Sequence, residues 1–390
     1  YALPTLVALN LLHLACFKYR VFVTEGLGFP TVWEAGGALP LGISFYTFQL
    51  IAYQVDVARG RFSAVRSPWL FVLFIAFFAH MIAGPILRAR ELVPQLACGV
   101  RDRFRRTRLH SYGLSLCLAG LTKKVIFADA LAEPVAALFS QTPSDIALAW
   151  LGAWLFAFQI YFDFSGYSDI AVGTAYLLGI HLPANFRTPY LSRDPQEFWR
   201  RWHITLSTWI RDYLYIPLGG SRVGGPFRQI MVLVAVMALA GLWHGAGWQF
   251  VLWGLAWGLY LALWRWGRVI FTMFGPVQWL LHMAIVTVLW VLFRSPDLTQ
   301  ALDYLAVMFG VGPNGWALPS LAASNAWWVI LGSALLVVLH WGERAVASRR
   351  MLWKLRTIDG PVLWGFLAAL SILVLMMPRL LDSPFIYFRF

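Results

Sequence analysis

Charge is what this sequence has least of. Only 13% of its 390 residues are charged, against 60% hydrophobic, where a soluble domain carries about 25% charged residues. Too few ionised side chains remain to solvate the surface of a globule, so a soluble fold is excluded. A bilayer removes the difficulty, because lipid accepts apolar side chains on the outside of the molecule as well as inside. Cysteine is almost as scarce. Cys16, Cys98 and Cys117 lie in or beside apolar runs without C-x-x-C spacing, which argues against a zinc site and leaves the redox compartment open. Acidic residues number 18 against 31 lysines and arginines. In a soluble protein that excess would suggest nucleic acid. Here the basic residues stand between apolar runs, as in Arg101-Asp102-Arg103-Phe104-Arg105-Arg106-Thr107-Arg108, the pattern of cytoplasmic loops beside anionic headgroups. No nucleic-acid partner is expected. The sequence also lacks a cleavable signal peptide, a G-x-S-x-G elbow, a P-loop, H-E-x-x-H and a setting for a cysteine nucleophile, so those chemistries drop out.

What the chain does have is apolar length and aromatic rings, with 21 Trp, 29 Phe and 14 Tyr. Amphipathic rings settle at membrane–water interfaces. Membrane segments are expected near 3–17, 39–57, 68–87, 109–139, 145–180, 229–263, 272–293, 325–341 and 361–378, judged against the ~20 residues a span needs. Two runs are too long for one helix. A break is expected at Asp163-Phe164-Ser165-Gly166 in the first and at Gly241-Leu242-Trp243-His244-Gly245-Ala246-Gly247 in the second. The sequence therefore predicts an all-α, polytopic integral membrane protein with about ten helical passes, some re-entrant or broken. Residues 1–390 form one membrane-embedded domain, with no soluble domain and no internal repeat. Basic loops at 59–66, 101–108 and 342–356 all suit the cytoplasm. Ile82-Ala83-Gly84-Pro85 would break the one clear run between the first two, and a re-entrant hairpin reconciles them.

Segment 185–228 differs in kind, with seven arginines. Asp194 before Pro195, with Glu197 after, predicts an N-cap, followed by one interfacial helix mixing Arg, Trp and Ile through Arg211. Two histidines stand out. His244 sits at the glycine-flanked break in the most apolar region. An ionisable group at membrane depth is a functional candidate, although a neutral imidazole bonded to a carbonyl would be a structural reading. His203 lies on the interfacial helix, and spacing alone does not select it. His13, His80, His110, His181, His282 and His340 have no accompanying polar break and read as structural. Asp163, Ser165 and Asp169 place polar groups in an otherwise apolar run, either as the wall of a substrate passage or as caps of a broken helix. The chemistry left is a histidine general base acting on a hydroxyl.

Four runs then carry a resemblance: Tyr161-Phe162-Asp163-Phe164-Ser165-Gly166-Tyr167-Ser168-Asp169, Asn185-Phe186-Arg187-Thr188-Pro189-Tyr190, Phe198-Trp199-Arg200-Arg201-Trp202-His203-Ile204-Thr205-Leu206-Ser207 and Trp243-His244-Gly245. Together they resemble the membrane-bound O-acyltransferase family, in the bacterial branch that acetylates alginate. Gly42-Ile43-Ser44-Phe45-Tyr46-Thr47-Phe48-Gln49, Ile82-Ala83-Gly84-Pro85-Ile86 and Pro384-Phe385-Ile386-Tyr387-Phe388 fit that branch too. The resemblance covers essentially the whole chain. It implies a ring of tilted helices around a central tunnel and further N-terminal helices before Tyr1. It makes His244 catalytic and His203 an assisting or orienting residue. It also implies an acyl thioester donor such as acetyl-coenzyme A, no bound cofactor or metal, a polysaccharide acceptor, and periplasmic or membrane-anchored acyltransferase partners at the bacterial inner membrane. Trp243, Trp248 and the Asp163–Asp169 stretch are the expected tunnel lining, and Arg200 and Arg201 are placed to hold coenzyme phosphates. Two alternatives remain at this stage. One is a polysaccharide or lipid-linked sugar transporter; the other is D-alanyl or protein acyl transfer by the same family.

Overall fold

The computed structural model describes residues 2–26, 40, 42–81, 84–98, 107–222, 224–267, 275–311, 337–338 and 340–342. Among them every regular element is helical. In chain order these are α1 (Ala2–Lys18), α2 (Arg20–Gly26), α3 (Ile43–Ala58), α4 (Pro68–Ile75), α5 (Ala89–Ala97), α6 (Thr107–Thr122), α7 (Asp129–Phe139), α8 (Ile146–Leu177), α9 (Pro195–Arg201), α10 (Ile204–Ile210), α11 (Pro226–His244), α12 (Trp248–Gly267), α13 (Gly275–Arg294) and α14 (Leu298–Met308). Three of these, α8, α11 and α13, are long and apolar enough to cross a bilayer. The expected segments at 325–341 and 361–378, and the Pro384–Phe388 run, lie mostly or wholly outside the described residues.

Local signals set most helix starts. Asp145 accepts from Leu148 N at 2.9 Å, Asp194 from Glu197 N at 2.7 Å and Asp297 from Gln300 N at 2.9 Å, each satisfying an N–H that has no partner inside its helix. The break predicted at Gly241–Gly247 is present: α11 stops at His244 and α12 starts at Trp248. The break predicted at Asp163–Gly166 is absent. Helix α8 runs unbroken through it for 32 residues, because both polar features there serve packing. Gly166 lies against Gly120 of α6, so close that a Cβ on it would come within 2.8 Å of the Gly120 carbonyl. Asp163 is matched by Lys124 at 2.7 Å and Asp169 by Lys123 at 2.7 Å. Lys124 also meets Asp129 at 2.8 Å. The two lysines sit on a turn of wider π helix, Lys123–Ala128, joining α6 to α7.

The apolar run 68–87 is not one long helix: α4 ends at Ile75, a short 3-10 turn covers Phe78–His80, and α5 packs on α4. The single interfacial helix expected from Pro195 to Arg211 is instead two short ones. Trp202 is extended and His203 takes a left-handed conformation, φ 41°. A helix–break–helix lets the tip of this segment reach the interior while Arg193 stays near Gly275 and Tyr215 near Arg265. Phe198, Trp202, Trp253, Trp257 and Trp290 form the buried aromatic centre around that tip.

Candidate active site

Two imidazoles approach the same indole. His244 is the last residue of α11, and its ring meets Trp243 at 4.9 Å, Trp253 at 5.2 Å and Phe293 at 5.2 Å, all edge-on. His203 lies edge-on to Phe164 of α8 at 4.7 Å and 6.5 Å from Trp243. Both side chains are buried. The glycines around His244 serve the helix turn: a Cβ on Gly241 would strike the Phe250 carbonyl, and one on Gly245 the Phe250 ring. Their smallness lets α12 close against the end of α11 beside the histidine.

The setting of His203 fixes its tautomer. The Asn185 side-chain oxygen accepts from Thr205 N at 3.2 Å and from Thr205 Oγ1 at 2.9 Å. A backbone N–H can only donate, so this atom is the amide oxygen and not the nitrogen. The same oxygen stands 3.1 Å from His203 Nδ1, so Nδ1 carries the proton and donates. Nε2 is left as a lone pair, buried and without a hydrogen-bond partner among the described residues. A buried imidazole oriented through Nδ1, with Nε2 open, is the arrangement of a general base. Thr205 is fixed in turn, its hydroxyl accepting from Ile86 N at 2.9 Å, which ties the apex to the irregular segment before α5.

The other expected site residues divide. Trp243 lies between the two imidazoles. Trp248 does not join them: it is 61% exposed at the start of α12, with Phe22 at 5.4 Å. Asp163 and Asp169 face lysines of the π turn, and Ser165 is fully buried with no partner for its hydroxyl among the described residues. Arg200 is exposed, its Nε bonded to Gln196 O at 3.1 Å. Arg201 turns instead to Glu197 at 2.5 Å and lines a cavity of about 500 Å³ with Arg193, Trp279 and Trp341, at the Gly275 end of α13. Residue-level reasoning missed Asn185, which lies 18 positions before its histidine; no local spacing announces a partner so far away. His282, which bridges Ser192 Oγ at 3.0 Å and Tyr260 OH at 2.9 Å, and His340, which accepts from Tyr190 N at 3.3 Å, make hydrogen bonds that fit the structural reading given to them. Both pin the strand of chain leading into α9.

Residues 63–294 match the sequence profile of the membrane-bound O-acyltransferase family, MBOAT. The chain is 37% identical over 98% of its length to the protein named probable alginate O-acetylase AlgI from Azotobacter vinelandii, covering 84% of that relative. It is 39% identical over 85% of its length to the protein of the same name from Pseudomonas aeruginosa, covering 64% of it. A peptidoglycan O-acetyltransferase from Helicobacter pylori is 37% identical over 80% of this chain, which spans 65% of that relative.

Proposed function

The chain belongs to the membrane-bound O-acyltransferase family, and from that premise we propose that it passes an acetyl group from a cytoplasmic thioester, acetyl-coenzyme A, through the bilayer to a polysaccharide hydroxyl. The observation that carries this reading is the convergence of His203 and His244 on Trp243, with Asn185 holding the open nitrogen of His203 in place. An acyltransferase needs a base for a hydroxyl proton, and a thioester is already activated. In the proposed step an imidazole Nε2 takes the acceptor's proton while its oxygen bonds to the acetyl carbonyl carbon. The carbon–sulfur bond then breaks, and the thiolate takes the proton back from the imidazolium. His203 has the lone pair whose direction is fixed. His244, whose ring also meets Trp243, is the residue this reading makes essential.

The cavity at the Gly275 end supports the donor side of the reading. Arg193 brings a guanidinium suited to phosphate, Arg201 beside it is paired with Glu197, and Trp279 and Trp341 lie in the same lining. The family is one of enzymes, which sets aside the transporter that broken helices also allowed. The names of the acetylating relatives favour a cell-envelope polymer as acceptor, alginate or peptidoglycan; of these the reading takes an exopolysaccharide such as alginate, and adds the bacterial inner membrane and an anchored or periplasmic acyltransferase partner as parts of the proposal.

The test is acetyl transfer by the full chain in membrane vesicles. His244→Ala should insert normally and abolish transfer, and His203→Ala should lower it about 10²-fold, the scale of a lost acid–base contact. Transfer by His244→Ala within a few-fold of wild type would overturn the assignment.

A further inference from the structure

A helix leaves its last four carbonyls without partners, and in a membrane interior no water is at hand to satisfy them. At α11 those carbonyls belong to the turn that ends in His244. Three of them are met from the other end of the chain. Tyr19 OH donates to Leu242 O at 2.9 Å, and Lys18 Nζ donates to Trp243 O and, at 3.3 Å, to His244 O. Lys18 is the last residue of α1. A lysine at such a helix end ordinarily runs its stem out to the headgroups, whereas this ammonium turns to protein carbonyls, 5.6 Å from the Trp243 ring centroid. A cation also complements the negative end of the helix dipole. On the far side of the turn Phe22 of α2 packs on Trp248, so the α1–α2 junction touches both ends of the break.

We propose that Lys18, with Tyr19 beside it, is a positioning residue for acyl transfer: a cationic cap, donated by α1, that fixes the last turn of α11 and so the direction of the His244 imidazole and of Trp243. The proposal rests on His244 serving acyl transfer. The cap touches no reacting atom. Its effect falls on turnover, because a loosened last turn lets the imidazole leave its place among Trp243, Trp253 and Phe293 while the donor cavity at the Gly275 end is untouched.

The experiment measures thiol release from acetyl-coenzyme A by the full chain in membrane vesicles across donor concentrations. Lys18→Met keeps the stem and removes charge and donors. It should lower kcat about 10-fold or more, the scale of a misplaced catalytic group, and leave KM within about 2-fold. Lys18→Arg, which can still donate to both carbonyls, should recover most of the turnover. Asn10→Leu removes a bond from α1 to Gln54 of α3, 3.2 Å long and away from the break, and should leave kcat unchanged. Wild-type kcat in Lys18→Met overturns the cap, and so does an equal loss in Lys18→Arg or Asn10→Leu. If Lys18→Met fails to accumulate, Tyr19→Phe decides: a several-fold fall in kcat supports the cap and an unchanged kcat overturns it. His244→Ala run alongside separates the two claims. If it is inactive while Lys18→Met turns over normally, only the cap fails; if it is active, the reading beneath the cap fails as well.

Discussion

Asn185 accepts three hydrogen bonds on one side-chain oxygen, from His203 Nδ1, Thr205 N and Thr205 Oγ1. Asn185→Leu removes that acceptor and frees the ring of His203. Transfer should fall about 10- to 100-fold, while the unfolding midpoint drops by the equivalent of about 1–3 kcal/mol for the buried donors left behind. Asn185→Asp, which keeps an acceptor, should recover part of the rate; vesicle kinetics and thermal scans in detergent check both. Ser165 offers a contrasting case. Its hydroxyl is fully buried without a partner among the described residues, so Ser165→Ala should leave the protein as stable or about 1 kcal/mol more stable. If transfer falls while stability holds, the hydroxyl faces the passage. His244 stands out in the sequence through the glycines that flank it, with a structural imidazole as the open alternative. His203 came forward only through resemblance, because its apex conformation, φ 41°, leaves no trace in spacing. Asn185 was hidden for the same reason: its role exists only once the chain has folded back on itself.

At the scale of elements, the wrong expectation at Asp163–Gly166 is informative. Glycine and carboxylate in an apolar run read as a break, yet the helix continues, because a close neighbour needs the glycine and two lysines need the carboxylates. Glycines around a histidine at Gly241–Gly247 did mark a break. What separates them is the partner helix, invisible to a local reading. Lys124→Met strands Asp129 and Asp163 in a buried site and should cost about 3–5 kcal/mol. Combining it with Asp129→Leu and Asp163→Leu should return much of that stability, measured as unfolding midpoint and yield in membranes. A second ion pair, Arg88 to Asp212 at 2.6 Å, ties the segment before α5 to the residues after α10. Burial alone would raise the Asp212 carboxyl, but hydrogen bonds and charge from Arg211 and Arg88 outweigh it and hold the group below the ordinary range. A carboxyl lowered by folding stabilises above its unfolded pKa, about 3.9, and that contribution is lost as pH falls through the folded value. Asp212→Asn should therefore unfold earlier than wild type by a constant margin between pH 5 and 8, and the margin should shrink as the pH falls below the unfolded value of about 3.9.

For the whole molecule, membrane residence and helical class followed from composition, whereas the number of passes did not. Apolar runs such as 68–87 qualify by hydrophobicity and are divided by folding into short pieces. The proposal that the cavity at the Gly275 end takes the donor makes a prediction at this scale. Arg193→Gln should raise KM for acetyl-coenzyme A several-fold with kcat unchanged, as expected where a group binds donor and transition state equally; initial rates in vesicles would show it. The unbroken α8 carries one more consequence. Its 32 residues extend about 48 Å at 1.5 Å each, against a hydrocarbon layer about 30 Å thick. The excess has to be taken up by tilt, by protrusion or by a change in the surrounding lipid. Because Phe164 on α8 meets His203 directly, the tilt that a given bilayer imposes reaches the imidazole. Where tilt takes up the excess and acyl transfer runs as proposed, membrane thickness should tune it: in proteoliposomes of graded acyl-chain length, kcat should pass through an optimum and fall on either side, with donor KM little changed.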